Sequence, residues 1–317
     1  MSESLNKNKL LLITGGGGFL GKSLIKNLTK FGYNNLFFPS RKDYDLTKED
    51  DVQRLFKAKE FEIVIHLASS HGGIYYNISE RGNIYFQNVM MNTLMLHYSM
   101  INKVNKIICA GTVDSYPKAA KLPFEEKDLW NGYPESTSAP YAFSKKLMIV
   151  QGGAYQEQFN FNSMHLLFMN LYGPNDDFEL SKSHVIPAII VKIDDAIKNN
   201  KQFITLYGDG TQKRDFLYVD DAAKAIVLSL GVNKYHLPIN IGTGRDISIK
   251  ELANKISFLM GYKGKIKWDK SKPSGYKRKC FNIDIAQKII GFSAETKIDE
   301  GLKSTIAWYK ETKKIID

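Results

Sequence analysis

Short apolar runs closed by glycine or polar residues alternate with stretches of helical spacing through the first half of the chain. Lys9 to Thr14 reads as a buried parallel strand, since its apolar residues run on until the glycines that follow. Lys22 to Phe31 has helical periodicity. Asn35 to Phe38, Glu62 to Ser69, Asn105 to Ala110 and Asn162 to Met169 read as four more strands. Lys48 to Ala58, Asn83 to Asn102 and Ala139 to Phe159 read as helices between them, and Pro140 suits the first turn of the last. The alternation predicts an α/β protein, a doubly wound parallel sheet built from residues 1–170. Ligands of such a sheet gather at the carboxyl ends of its strands, where Gly15 to Gly21, Ser69, Thr112 and Asn170 fall.

Beyond Asn170 the loops lengthen. Ile189 to Asn199 reads as a helix and Phe203 to Tyr207 as a strand. Arg214 to Asp221 leads into a helix, and Ile239 to Gly244 is a strand and turn. Ser248, with Glu251 three residues on, has the spacing of a capping box. Gly264 to Trp268 is a short strand. Residues 171–317 are expected to form a smaller C-terminal α/β lobe, interleaved with the sheet, that closes on a substrate.

Composition narrows the class. The 317 residues are 43% hydrophobic and 24% charged, ordinary for a soluble globular protein. No apolar stretch of the ~18 residues a membrane span needs is present, and the polar N-terminus lacks a signal-peptide core. Cys109 and Cys280 are the only cysteines, too few for a disulfide framework or a cysteine-rich metal site, so a cytoplasmic protein without metal is expected. The net charge of +11 is a solvated lysine-rich surface or an attractor of polyanionic small molecules. The basic residues are scattered and no nucleic-acid signature appears, so no nucleic-acid partner is expected.

Two clusters carry chemistry. Gly15-x-x-Gly18-x-x-Gly21 sits between a strand and a helix, where glycines permit a positive-φ turn and let a pyrophosphate approach the helix N-terminus. A plain flexible turn is the alternative. With strand and helix in place, the spacing fits a dinucleotide-binding Rossmann loop. The second strand ends in Pro39-Ser40-Arg41-Lys42 and not in an acid, which suits the 2′-phosphate of NADP unless the segment is merely a charged loop. Tyr141 and Lys145, four apart, project from one helix face. An ammonium there would lower the phenol from ~10 toward working pH and make Tyr141 a proton donor to a carbonyl oxygen that Thr112 also holds. A packed tyrosine beside an exposed lysine is the ordinary reading of such a pair. His66 reads as a packed core histidine.

Together these residues resemble the extended short-chain dehydrogenase/reductase (NAD-dependent epimerase/dehydratase) family, most nearly its GDP-L-fucose synthase branch. The likeness spans almost the whole chain. It includes His71-Gly72-Gly73-Ile74, Tyr116-Pro117-Lys118, Glu135 to Lys145, Asn170 to Pro174, Ser183 to Pro187, Arg214 to Leu217, Ile241 to Gly244 and Lys272 to Gly275. The resemblance implies Tyr141 as proton donor, Lys145 as its tuner and ribose contact, and Thr112 as the hydroxyl that orients the keto oxygen. It implies NADPH held by Gly15, Gly18, Phe19, Leu20, Gly21, Ser40, Arg41, Asp45, Leu46, Leu67 and Ala68. Asn170, Val185, Tyr207, Arg214 and Lys279 fall where the family holds GDP. Tyr207 stands where the family often has tryptophan, and Gly17 where a second basic residue sometimes sits.

One departure bears on the reaction. The branch inverts C3 and C5 with a cysteine and a histidine before reducing C4. The histidine is present as His184, but the cysteine position is Asp114. A carboxylate of pKa ~4 accepts a proton but is a poor donor unless its pKa is raised. The resemblance therefore implies NADPH-dependent C4 reduction of a GDP-4-keto-6-deoxy hexose or heptose for surface polysaccharide, with epimerisation reduced or lost. A bifunctional epimerase-reductase, a UDP-sugar epimerase or dehydratase, and a non-catalytic dinucleotide sensor are the rival readings. Relatives commonly form homodimers through two long helices, here Asn83 to Asn102 and Ala139 to Phe159.

Overall fold

A computed structural model describes residues 7–271 and 276–316. Its first half follows the expected alternation: β1 (Leu11–Thr14), α1 (Phe19–Lys30), β2 (Leu36–Phe37), α2 (Glu49–Ala58), β3 (Ile63–His66), α3 (Ile74–Ser79), α4 (Arg81–Ile101), β4 (Lys106–Thr112), α5 (Ala139–Phe159) and β5 (Ser163–Phe168). The helix α1 begins three residues earlier than its periodicity suggests, directly on the glycine loop. The short α3 had no apolar period to betray it.

The second half contains β6 (Asn170–Tyr172), α6 (Val185–Lys198), β7 (Phe203–Tyr207), β8 (Lys213–Tyr218), α7 (Val219–Leu230) and β9 (Ile239–Ile241). Then come β10 (Asp246–Ser248), α8 (Ile249–Met260), β11 (Lys265–Asp269), β12 (Arg278–Lys279), α9 (Asp284–Ile290) and α10 (Ile298–Ile316). Ser248 caps α8, its hydroxyl accepting from the Glu251 amide at 3.1 Å. Leu302, Ile306 and Tyr309 place one buried stripe along α10 at helical spacing.

Six strands form one parallel sheet in the order β2-β1-β3-β4-β5-β9. The direction in which successive strands are added reverses between β1 and β3, so the loops after those two strands part and leave a crevice. The edge strand β9 comes from beyond residue 170, and α7 from the same region packs against α1. A second sheet is built on β8, with β10 antiparallel on one side and β6 and β12 parallel to it; β7 pairs with β11. Apolar packing follows this division. One core fills the sheet face under α1, α7 and α9 and another the face under α2, α4 and α5. A third joins α6, α8 and α10. Among the described residues no helix is long and apolar enough to cross a membrane.

Two histidines stand inside the main sheet, His66 on β3 and His165 on β5, both fully buried. Burial holds each at about 3. Neither ring nitrogen of His165 has a hydrogen-bond partner among the described residues. An unfolded histidine takes up its proton near pH ~6.5, so below that pH the unfolded chain binds protons that the native state refuses. Stability is then full above ~6.5 and falls by about 1.4 kcal/mol per pH unit for each such histidine below it. We expect denaturant unfolding at pH 6 and pH 5 to show this loss. A His165→Leu variant should lose about one proton's worth less over the same interval; an unchanged slope would contradict the reading.

Candidate active site

The site is anchored by a hydrogen-bond chain that runs across four elements. The Ala68 amide donates to Thr14 Oγ1 at 3.3 Å. Thr14 Oγ1 lies 2.7 Å from His66 Nδ1, and His66 Nε2 lies 3.0 Å from Asn92 Oδ1. Asn92 Nδ2 donates to the Ser144 carbonyl at 3.0 Å. Every group is satisfied if Thr14 donates to Nδ1 and Nε2 carries the imidazole proton. The end of β1, the end of β3, α4 and α5 are thus pinned to one another by buried groups. Asn88, one turn earlier on α4, holds the loop after β3 through Ser69 and Ser70.

A cavity of about 460 Å³ opens at the carboxyl ends of the strands. Thr112 enters it from the end of β4, where its Oγ1 accepts from the Asp114 amide at 3.2 Å and so closes the turn that follows. Tyr141 and Lys145 enter from the first turns of α5, which has Pro140 at its start. Both side chains are buried, at 8% and 1% exposure. The Lys145 ammonium lies 5.9 Å from the Tyr141 ring centroid and has no hydrogen-bond partner among the described residues.

The expected acidification of Tyr141 is not found. Burial pushes the phenol up to about 12; a hydrogen bond with Ser69 opposes this and the Asp114 charge adds to it. Burial also lowers Lys145 to about 8. A helical spacing of four brings the two groups near each other, but the same packing removes the water that stabilises either charge, and desolvation prevails.

His71 is the residue the pattern-based reading passed over. Its ring stacks on Tyr141, with centroids 4.2 Å apart and planes at 10°, and lies 5.3 Å from the His184 ring. Burial holds His71 at about 3, so it is neutral, and its Nδ1 has no partner among the described residues. The Gly72-Gly73 pair was the available signal. A Cβ on Gly73 would come within 2.7 Å of the Ser183 carbonyl oxygen, and the Gly73 amide donates to the Lys182 carbonyl at 2.7 Å. Glycine there lets the two loops touch and delivers His184 to the cavity.

Asp114 faces the same cavity and forms an ion pair with Lys279 from β12. Burial, the largest influence, would raise its carboxyl, yet the charge and hydrogen bond of the Lys279 ammonium oppose it and the carboxyl stays below the usual carboxylate range. Lys279 had been expected with the nucleotide contacts; it lies instead beside Asp114, among residues that line the Tyr141 cavity. Asn170 and Arg214 line both this cavity and an adjoining one of about 230 Å³, which Val185 and Tyr207 also line. Asn170 Nδ2 donates to the Asp215 carbonyl at 3.0 Å, and Lys192 lies 4.7 Å over the Tyr207 ring.

A third cavity, of about 580 Å³, runs along Gly15, Gly18, Ser40, Arg41, Asp45, Leu46 and Ala68. Phe19, Leu20 and Leu67 line the Tyr141 cavity, and His71 lines both. Gly15 has φ +72, and a Cβ on Gly21 would lie 2.2 Å from the Gly15 carbonyl oxygen, so both positions require glycine. No side chain caps α1 at Gly18, which leaves its first amides open to an anion. Arg41 is largely exposed and lies 3.5 Å from Asp45. Ser40 lines this cavity, and its hydroxyl donates to Asp43 Oδ2 at 2.7 Å. The Lys272 to Gly275 motif lies outside the described residues.

The crevice, the uncapped glycine-loop helix and the tyrosine, lysine and threonine around one cavity define a dinucleotide-dependent oxidoreductase. The chain belongs to the NAD dependent epimerase/dehydratase family, whose model matches residues 11–242. The GDP-L-fucose synthase of Escherichia coli (strain K12) is 33% identical over 310 residues, covering 95% of this chain and 96% of its own. A GDP-6-OMe-4-keto-L-xylo-heptose reductase from C. jejuni superposes with a TM-score of 0.91 at 26% identity, covering 97% of this chain and 99% of its own. A GDP-L-fucose synthetase from Naegleria fowleri bound to NADP gives a TM-score of 0.88 at 26% identity, covering 98% and 97%.

Replacing Asn92 by leucine would strand the His66 Nε2 proton in the core and take from the Ser144 carbonyl the donor that ties α5 to α4. We expect a loss of about 2 kcal/mol in denaturant unfolding, the range for buried groups left unpaired. A loss under about 0.5 kcal/mol, the scatter of neutral surface substitutions, would show that the chain does not hold α5 in place.

Proposed function

We propose that this protein is an NADPH-dependent reductase that acts on C4 of a GDP-4-keto-6-deoxy sugar, a hexose or a heptose, with C3 and C5 epimerisation reduced or lost. The observation that carries the reading is the convergence on one cavity at the sheet's carboxyl edge of Thr112, Tyr141 and a Lys145 ammonium that has no hydrogen-bond partner among the described residues. Relatives named for GDP-fucose and GDP-heptose chemistry support the substrate class.

NADPH, when bound, supplies the hydride. The glycine loop and the open end of α1 suit its pyrophosphate, Arg41 its 2′-phosphate, and the lone Lys145 ammonium its ribose hydroxyls. Thr112 hydrogen-bonds the C4 carbonyl oxygen, and Tyr141 gives that oxygen its phenolic proton as negative charge grows there. Burial keeps the phenol protonated at neutral pH, so the donor form is always populated. Lys145 then stabilises the tyrosinate left behind. Arg214, Asn170, Val185 and Tyr207 hold the nucleotide end in the adjoining cavity and so fix the sugar. Asp114, ionised and paired with Lys279, has no proton to deliver to a carbanion; His184 alone does not supply both faces of an inversion.

The two buried free cysteines suit a cytoplasmic enzyme. Exposed Tyr85 and Phe86 on α4, with Leu147 and Val150 on α5, suit a homodimer closed by those helices.

Purified protein with NADPH and GDP-4-keto-6-deoxymannose, or its heptose homologue, should consume NADPH and yield a C4 alcohol by NMR. In D2O the product should carry no deuterium at C3 or C5; deuterium there would establish epimerisation, and no NADPH consumption with either sugar would refute the reductase reading. Tyr141→Phe should lower kcat by about 10²–10⁴. Because the free enzyme's Lys145 loses its proton at about 8, kcat/KM for NADPH should be level below that pH and decline above it. Lys145→Met should abolish that decline. Arg41→Ala should raise the KM for NADPH by about tenfold or more and leave that for NADH nearly unchanged, as expected for loss of one charge-assisted phosphate contact.

A further inference from the structure

We propose that the Asp114–Lys279 pair reads a hydroxyl on the sugar carbon next to the carbonyl, so that the substrate is a 4-keto sugar that retains its 3-hydroxyl. The inference rests on the reductase reading and adds a substrate requirement to it.

Position comes first. Asp114 follows Thr112 by two residues, and its amide is bonded to the Thr112 hydroxyl at 3.2 Å. The carboxylate is therefore set at a fixed offset from the group that addresses the C4 oxygen. Of the two carbons flanking C4 in a hexopyranose, C3 bears a hydroxyl and C5 bears the ring oxygen and C6. A carboxylate beside the carbonyl site only accepts, and on these two carbons only the C3 hydroxyl offers it a proton.

Charge comes second. Among the described residues lining the cavity, the acids are Asp114 and Glu135. Glu135 is engaged elsewhere: Oε2 pairs with Lys118 at 3.0 Å, and Oε1 accepts from Ser136. Around Asp114 stand Lys279, Arg214 and the neutral rings of His71 and His184, with Lys145 deeper in the cavity. Asp114 is thus the one anionic acceptor turned toward the sugar.

Valence comes third. Lys279 donates to Oδ1. Oδ2 takes no donor among the described residues, and the side chain keeps 15% exposure where it lines the cavity. An ionised carboxylate only accepts. A sugar hydroxyl satisfies Oδ2, whereas a methylene at the same carbon would bury it unpaired. Lys279 holds the carboxylate ionised and in one orientation; among the described residues its ammonium makes no other hydrogen bond and lies 4.5 Å over the Tyr276 ring, so it too can address the same hydroxyl oxygen.

The test compares kcat/KM for a GDP-4-keto-6-deoxy sugar with that for its 3-deoxy counterpart, in wild type, D114N and D114A. A site built to hydrogen-bond a hydroxyl rejects the analogue lacking it by large factors, so wild type should prefer the 3-hydroxy sugar by about 10²-fold or more. D114A should bring the two sugars within about threefold, mainly by losing the 3-hydroxy substrate. D114N, which keeps an acceptor oxygen but not the charge, should fall between. A merely structural pair would depress both sugars equally and leave the ratio untouched, and that outcome overturns the proposal. A wild-type ratio near one overturns it as well while leaving the reductase reading intact, and this measurement stands even if D114A fails to fold. Turnover of neither sugar by wild type would remove the reductase reading and this inference with it.

Discussion

The buried polar chain from Thr14 through His66 and Asn92 to Ser144 ties the nucleotide-binding edge of the sheet to the helix that carries Tyr141 and Lys145. Apolar packing alone would let α5 slide or rotate by fractions of an ångström at small cost, because dispersion is not directional. Buried hydrogen bonds are directional, and leaving one unmade costs more than making it gains. The chain therefore sets where the phenol stands relative to the crevice between β1 and β3. It also explains why a histidine occupies an otherwise apolar strand.

Electrostatics in the cavity follow from the same burial. The phenol is held protonated, Lys145 is lowered to about 8, and His71 and His184 are kept below their ordinary range. Asp114 is held ionised because Lys279 stands against it, while Glu135 is taken up by Lys118 and Ser136. A cavity arranged in this way holds one ready proton donor near a carbonyl and one fixed anion beside it. Such an arrangement suits reduction with a single protonation better than proton traffic on both faces of a carbon.

Some of this could be read without coordinates, and the particulars show why. Strand runs such as Leu11–Thr14 and Ile107–Cys109 are buried on both faces and so declare themselves by unbroken apolarity. Tyr141 and Lys145 share a helix face because helical geometry is local. Ser248 caps α8 for the same reason. By contrast β10 and β12 are too short to carry a period, and exist because β8 offers them a partner. Neither α3, α9 nor α10 was expected from the pattern, although Leu302, Ile306 and Tyr309 of α10 stand at helical spacing.

The order of residues was enough to specify the strand-helix alternation of the first half, the glycine loop and the pairing of phenol and amine on one helix, since each depends on neighbours within a turn or two. It was silent on the sign of the Tyr141 shift, which depends on how much water the surrounding elements exclude. It was equally silent on the meeting of Asp114 with Lys279, 165 residues apart, and on the stacking of His71 between Tyr141 and His184. Coulomb and desolvation energies depend on distance and dielectric in space, and neither is encoded by separation along the chain.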